Sequence, residues 1–241
     1  MPRERLPLLF DLSRSDEPKG ETGLASGPSA EQVAAAIASG RCQDERVFDR
    51  FLNSAMRIVS DLHWTPLVVA LRTAEWLNQL EVETVVDVGS GAGKFCVATA
   101  LATRCKFIGV EQRPRLVHAA RALAETFGVS DRVQFIEGTL DDGAVPGADA
   151  YYLFNPFGEN LFGPEDHIDE DVELGNERYE RDIAAMESFL KQQPVGTYLI
   201  KYNGFGGRVP PTYDAVRSAL DLPNLLRVWR KTRENWSGFE P

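Results

Sequence analysis

From Glu83 onward, the chain alternates between short apolar runs and longer segments with helical spacing. The apolar runs are four or five residues long, whereas the segments between them place apolar residues three and four positions apart. This alternation is typical of a parallel sheet that helices cover on both faces. We therefore predict an α/β fold with a doubly wound, mostly parallel, Rossmann-like sheet. The predicted elements are strands over 84–88, 106–110, 133–136, 151–154 and 197–200, a last helix over 212–220 and a final strand over 225–229.

The part of the chain before this alternation divides into two stretches. Residues 11–30 are rich in Ser, Gly, Pro and charged side chains and lack a hydrophobic period, so we expect residues 1–29 to form a flexible tail. From residue 30 the apolar spacing is helical, and Thr65 before Pro66 predicts a helix that Thr65 caps and Pro66 begins. We expect an N-terminal helical extension over residues 30–80 and the main domain over residues 81–241.

A glycine-rich turn follows the first predicted strand, in the segment Asp87-Val88-Gly89-Ser90-Gly91-Ala92-Gly93. Open parallel sheets bind ligands at the carboxyl ends of their strands, and glycine lets the backbone approach a ligand closely. Glu111 ends the second predicted strand, where a carboxylate can accept both hydroxyls of a ribose. A nicotinamide dinucleotide is the competing ligand, but its G-x-G-x-x-G fingerprint requires glycine at position 94, which is Lys94.

The segments VVDVGSGAGKF and FIGVEQ resemble the first two cofactor motifs of the class I S-adenosylmethionine-dependent methyltransferases. The resemblance in strand and helix order extends from about Thr65 to the C-terminus. It implies that S-adenosyl-L-methionine is the cofactor and that residues 81–241 form its binding domain. By this resemblance the methionine end lies on Asp87, Gly89, Gly91 and Gly93, the ribose on Glu111, and the adenine on Thr139 and Leu140.

The fourth predicted strand runs into Asn155-Pro156-Phe157-Gly158, at the strand end where this family places the transferable methyl group. The amide oxygen of Asn155 is suited to accept a hydrogen bond from an amine, and Phe157 offers an aromatic face to a flat or cationic group. These two residues are the catalytic candidates. The segment resembles a shortened Asn-Pro-Pro-aromatic motif of amine-directed methyltransferases, and the core also resembles the non-SET histone-lysine methyltransferases.

Charge and cysteine content narrow the partners and the compartment. The formal net charge of −10 opposes binding to phosphate backbones, so it disfavours nucleic acid as a partner and favours a neutral or cationic one. Residues 158–177, called here the acidic segment, occupy a usual position for a lid over an active site. Three cysteines without CxxC spacing predict neither a disulfide framework nor a zinc site, which fits the cytoplasm. We expect no membrane span and no metal.

Three functions remain open from the sequence. The leading hypothesis is N-methylation of an amine on a protein side chain or a small molecule. The alternatives are O-methylation of a small metabolite and cofactor binding without turnover. The imidazoles that qualify as general bases are His63, His118 and His167.

Overall fold

A computed structural model describes residues 27–41 and 44–234. Its centre is a seven-stranded sheet with the strand order β3-β2-β1-β4-β5-β7-β6, in which β7 pairs antiparallel with both of its neighbours. The first five strands are parallel, as predicted. The strands are β1 Thr84–Val88, β2 Lys106–Glu111, β3 Val133–Glu137, β4 Ala150–Phe154, β5 Tyr198–Tyr202, β6 Tyr213–Ala219 and β7 Leu226–Lys231.

The helices fall into an N-terminal group and a group that alternates with the strands. The first group is α1 Ala30–Ala38, α2 Glu45–Asp49, α3 Ser54–Ile58, α4 Ser60–His63 and α5 Leu67–Leu77. The second is α6 Lys94–Ala102, α7 Pro114–Thr126 and α8 Asn176–Gln192. The predicted flexible tail lies almost wholly outside the described residues, which begin at residue 27. The division into an N-terminal extension and a main domain stays a prediction.

Two hydrophobic clusters form, one on each face of the sheet. The larger one joins α5, α6 and α7 to strand residues such as Val85 and Phe107, and it includes Val33 and Phe48 from the N-terminal helices. The smaller one places α8 against the other face, with Met186 at its centre. Alternate residues of β1 and β4 enter the two clusters, which is the pattern of strands buried on both faces.

Two local predictions were wrong. The predicted helix over 212–220 is strand β6, whose backbone pairs with β7 along its length. Tyr213, Val216 and Leu220 have helical spacing, but Val216 and Leu220 are exposed, so no helical face is buried there. Thr65 does not cap α5, because its hydroxyl bonds to the Tyr152 hydroxyl (3.0 Å) while Pro66 occupies the capping position.

The N-terminal helices are tied to the sheet by a buried lysine at the start of α6. Lys94 is 3% exposed, and its Nζ lies 2.6 Å from Glu45 Oε2 and 2.7 Å from Asp49 Oδ1 on α2. The same ammonium donates to Ser60 Oγ on α4 (3.2 Å). A buried ammonium is stable only when it is paired in this way. The contact holds α2 and α4 beside the glycine-rich turn.

Candidate functional site

A cavity opens at the carboxyl ends of the parallel strands, between the glycine-rich turn, the N-terminal helices and the acidic segment. Of the nine residues that the sequence nominated, seven line this cavity: Gly89, Gly91, Glu111, Thr139, Leu140, Asn155 and Phe157. Asp87 lines a smaller cavity that shares His63, Trp64, Gly89 and Phe154 with the first. Gly93 lines neither, and it caps α6 with a left-handed backbone (φ 77°).

The backbone of the turn takes a shape that only glycine allows. Gly91 has φ 53°, and a Cβ there would overlap the ring of Trp64, which is itself buried at the end of α4. The Trp64 indole donates from Nε1 to the backbone oxygen of Met56 (2.9 Å), so the ring is held in place. The turn and the N-terminal helices therefore build one wall of the cavity together.

Asp87 is buried beneath the turn and has a thiol as its neighbour. Cys96 Sγ donates to Asp87 Oδ2 across 3.5 Å, and burial raises the pKa of Asp87 to about 7. Beside it in the smaller cavity, the buried hydroxyl oxygen of Ser90 has no hydrogen-bond partner among the described residues. Both groups are short of partners, so this corner is suited to bind a ligand that carries an ammonium group.

Replacing Asp87 with asparagine is expected to weaken the pH dependence of stability in the unliganded protein. The folded-state pKa of Asp87 is raised from its ordinary 3.8 to about 7. The neutral carboxyl therefore stabilises the fold fully below about pH 4, and this contribution is lost as the pH rises through about 7. The lost free energy is on the order of 4 kcal/mol. Asparagine does not ionise, so the stability of the variant relative to wild type should increase as the pH is raised from acid to alkaline.

Thermal unfolding at pH 5 and at pH 8 measures this effect. Asp131→Asn is the matched control, because Asp131 is exposed and far from the turn in sequence. A difference between wild type and Asp87→Asn that is equal at both pH values would show that Asp87 does not titrate in this range.

Glu111 ends β2 inside the cavity and closes the glycine-rich turn against that strand. Its Oε2 accepts a hydrogen bond from the Gly91 backbone nitrogen (3.0 Å), and its Oε1 accepts one from the Arg113 backbone nitrogen (2.9 Å). Burial raises the pKa of this carboxyl. A carboxylate has about four lone-pair sites, so the two oxygens retain acceptor capacity for the hydroxyls of a ligand.

Arg113 holds the acidic segment over the cavity, a role that the sequence analysis missed. Its side chain is 4% exposed and forms ion pairs with Glu159 (2.9 Å) and Asp169 (2.8 Å). Glu159 Oε1 also accepts from the Ile168 backbone nitrogen (2.8 Å), which folds the segment onto itself. The available signal was an arginine two residues after a strand-ending glutamate, in an α/β pattern that also contains a long acidic loop. Its partners, however, lie 46 and 56 residues away.

Asn155 and Phe157 occupy different depths of the cavity wall. Asn155 has a left-handed backbone (φ 44°), and its backbone nitrogen donates to Gly204 O (2.8 Å) at the end of β5. A Cβ at Gly158 would overlap the Asn155 amide, so glycine there leaves space for it. Within residues 27–41 and 44–234 that amide has no hydrogen-bond partner. Phe157 is 8% exposed and packs in the smaller hydrophobic cluster, so only a small part of its ring faces the cavity.

Of the three histidines, His63 is the one that lines the cavity. Its Nε2 lies 3.1 Å from the backbone oxygen of Asp166 in the acidic segment, and its ring packs edge-on against Phe162. Burial lowers the pKa of His63. Because a carbonyl oxygen only accepts, Nε2 carries the hydrogen and Nδ1 holds the free lone pair of the neutral ring. His118 is exposed on α7, and His167 contacts the backbone oxygen of Phe162 (3.2 Å).

One part of the chain that builds this site matches known methyltransferases. A model of a methyltransferase domain matches residues 81–147, from β1 to the loop after β3. The ribosomal protein L11 methyltransferase of Escherichia coli is 37% identical over 62 residues, which are 25% of this chain and 21% of that protein. The chain therefore spans about a fifth of the length of the curated relatives that it matches.

Solved structures extend the likeness beyond this segment. An RNA methyltransferase from Salinibacter ruber, in complex with S-adenosyl-L-homocysteine, superposes with a TM-score of 0.51 at 23% identity, over 73% of this chain and 99% of that one. An O-methyltransferase from Bacillus cereus, also in complex with that compound, gives 0.53 at 12% identity, over 83% and 97%. The chain has the Rossmann-like fold of the class I S-adenosylmethionine-dependent methyltransferases. In this chain the cavity lies at the carboxyl ends of the parallel strands, where open sheets of this kind bind their ligands.

Within residues 27–41 and 44–234, none of the helices is long and apolar enough to cross a membrane. No group of three or more His, Cys, Asp or Glu side chains in that part of the chain is placed to hold a metal ion.

Proposed function

We propose that this chain is an S-adenosylmethionine-dependent methyltransferase that transfers the methyl group to an amine. The observation that carries the proposal is Asn155, which lines the cavity at the end of β4 next to the glycine-rich turn, and whose side-chain amide has no hydrogen-bond partner among the described residues. Pro156 packs against that turn, since a Cβ at Gly89 would lie 2.9 Å from Pro156 Cβ. An amide oxygen at this point is placed to orient an amine beside the bound cofactor.

The residues present fit the methionine part and the ribose of the cofactor. The corner at Asp87 and Ser90 suits the ammonium group, and the backbone N–H groups at the start of α6, directly after the glycine-rich turn, suit the carboxylate. Glu111 suits the ribose hydroxyls. When bound, S-adenosylmethionine supplies an electrophilic methyl group on a sulfonium. We infer from this arrangement that Asp87, Gly89, Gly91, Gly93, Glu111, Thr139 and Leu140 form the cofactor site.

The charge around the cavity favours a cationic acceptor. Residues 137–187 contain fifteen carboxylates and two arginines, a net charge of −13 in a chain whose total is −10. This region includes the acidic segment and the first turns of α8, which together cover the cavity. An amine that arrives as an ammonium ion is attracted to such a surface. It must lose a proton before it attacks, and Nδ1 of the neutral His63 is the lone pair suited to accept it.

The free thiols bear on the cellular compartment, and the charge around the cavity bears on the class of acceptor. We infer a cytoplasmic location, which the buried free thiols of Cys96 and Cys105 support. The acceptor is an amine on a protein side chain or on a small molecule. The net negative charge around the cavity disfavours a nucleic acid.

Titration calorimetry followed by a labelling screen tests this function. We expect S-adenosylhomocysteine to bind and NADH not to bind. Cell extracts incubated with the protein and isotopically labelled S-adenosylmethionine should then yield an N-methyl product by mass spectrometry. An O-methyl product would show that the acceptor is a hydroxyl and not an amine, and it would leave the cofactor assignment unchanged. NADH binding without a response to S-adenosylhomocysteine would overturn the proposed function itself.

A further inference from the structure

Helix α8 contributes a buried ion pair to the cavity wall, and the reaction proposed above does not use it. Arg178 Nε donates to Asp182 Oδ1 across 2.8 Å, one helical turn apart. Both side chains line the cavity, and they are only 16% and 10% exposed. Burial raises the pKa of Asp182, because its charged form is partly stripped of water. An i,i+4 pair with no role beyond helix stability normally lies on the solvent face.

The proposed function, on which this inference rests, fixes which part of the cofactor comes near this pair. The methionine end lies over β1 and the ribose over β2, and β3 is the next strand beyond β2. The base therefore lies at the carboxyl end of β3, where Gly138, Thr139 and Leu140 line the cavity. Leu140 lines the same cavity and belongs to the same hydrophobic cluster as α8, and the charge of Asp141 acts on Asp182, so the loop after β3 lies near this part of α8.

The loop after β3 offers no carboxylate to the base. Asp142 is turned onto its own loop, where it accepts hydrogen bonds from the Thr139 backbone nitrogen (3.1 and 3.0 Å) and from the Ala144 backbone nitrogen (3.1 Å). Neither Asp141 nor Asp142 lines the cavity. A carboxylate partner for the polar edge of a purine bound here must therefore come from another element.

Asp182 and Arg178 have the chemistry that this edge requires. Adenine presents an amino donor at N6 beside an acceptor at N1. A carboxylate only accepts and a guanidinium only donates, so the pair sets an acceptor beside a donor. We propose that Asp182 accepts from the adenine amino group and Arg178 donates to N1, which makes the two residues the determinants of base specificity at the cofactor site. Hypoxanthine reverses both positions, with an acceptor at C6 and a donor at N1, and is opposed by both side chains.

Competitive calorimetry with S-adenosylhomocysteine and S-inosylhomocysteine tests the assignment without any methyl acceptor. We expect wild type to prefer the adenosyl compound by about 10- to 100-fold. Asp182→Asn should lose most of this preference, because its amide can donate to the oxygen at C6. Glu180→Gln, an exposed neutralisation on the same helix, should keep the full preference.

The outcomes separate this inference from the proposed function. Wild type that binds S-adenosylhomocysteine but tolerates the inosyl compound equally, or an Asp182→Asn protein that keeps the wild-type ratio, overturns the inference and leaves the methyltransferase assignment intact. Failure of wild type to bind either compound overturns both. Thermal unfolding shows whether Asp182→Asn folds. If it does not, the preference for the adenosyl over the inosyl compound is measured on Arg178→Gln, and a ratio equal to that of wild type overturns the proposal.

Discussion

Asn155→Gly is expected to lose methyl transfer by roughly 100- to 1000-fold while the affinity for S-adenosylhomocysteine hardly changes. The amide that we propose to orient the acceptor acts mainly in the transition state, because the reacting nitrogen must be aligned with the bond from sulfur to the methyl carbon. Glycine is the appropriate replacement, because the backbone at this position is left-handed (φ 44°). Glycine adopts this conformation without strain, whereas the β-carbon of alanine would add strain.

A matched control is available on the neighbouring strand. Asn203 follows β5 with the same left-handed backbone (φ 58°), but it is exposed and lies outside the cavity. Asn203→Gly should therefore keep both transfer and binding. The measurements are single-turnover transfer to the acceptor found by the labelling screen, calorimetry and thermal unfolding. Full activity of Asn155→Gly at normal stability would remove Asn155 from the reaction and leave it as a residue that turns the chain.

Glu111→Ala is expected to weaken S-adenosylhomocysteine binding by about 1–3 kcal/mol, because the charged acceptor for the ribose is lost. The structure adds a second cause. The Gly91 and Arg113 backbone nitrogens, which donate to Glu111, lose their acceptor, so the glycine-rich turn is no longer held against β2. Glu111→Gln keeps the shape and one oxygen acceptor, and it should show a smaller loss. Calorimetry measures both variants.

Glu137 is the control for this effect. It is the residue that pairs with Glu111 across β2 and β3, and it is exposed outside the cavity. Glu137→Ala should bind S-adenosylhomocysteine as wild type does. If Glu111→Ala also binds normally, the ribose is held elsewhere and the proposed path of the cofactor across the strand ends is wrong.

The sequence was sufficient for the elements whose signals are local. Short apolar runs bounded by turns predicted β1 to β5 and β7, because strands that are buried on both faces consist mostly of apolar residues. The glycines between β1 and α6 and the acid that ends β2 indicated the edge of the sheet where the cavity lies. Seven of the nine nominated residues line that cavity, and their binding roles stay predictions that the variants above address.

The tertiary structure decided what depends on pairing between distant residues. The segment over 213–219 has helical spacing but is a strand, because β7 offers its backbone an antiparallel partner and no helical face is buried. Arg113 meets Glu159 and Asp169 only after the chain returns over the sheet, and the Asp182 and Arg178 pair enters the cavity because α8 packs on that face. The spacing of apolar residues in a sequence indicates which face of its own helix or strand a residue lies on. Which other element that side meets is set by the packing of the whole sheet.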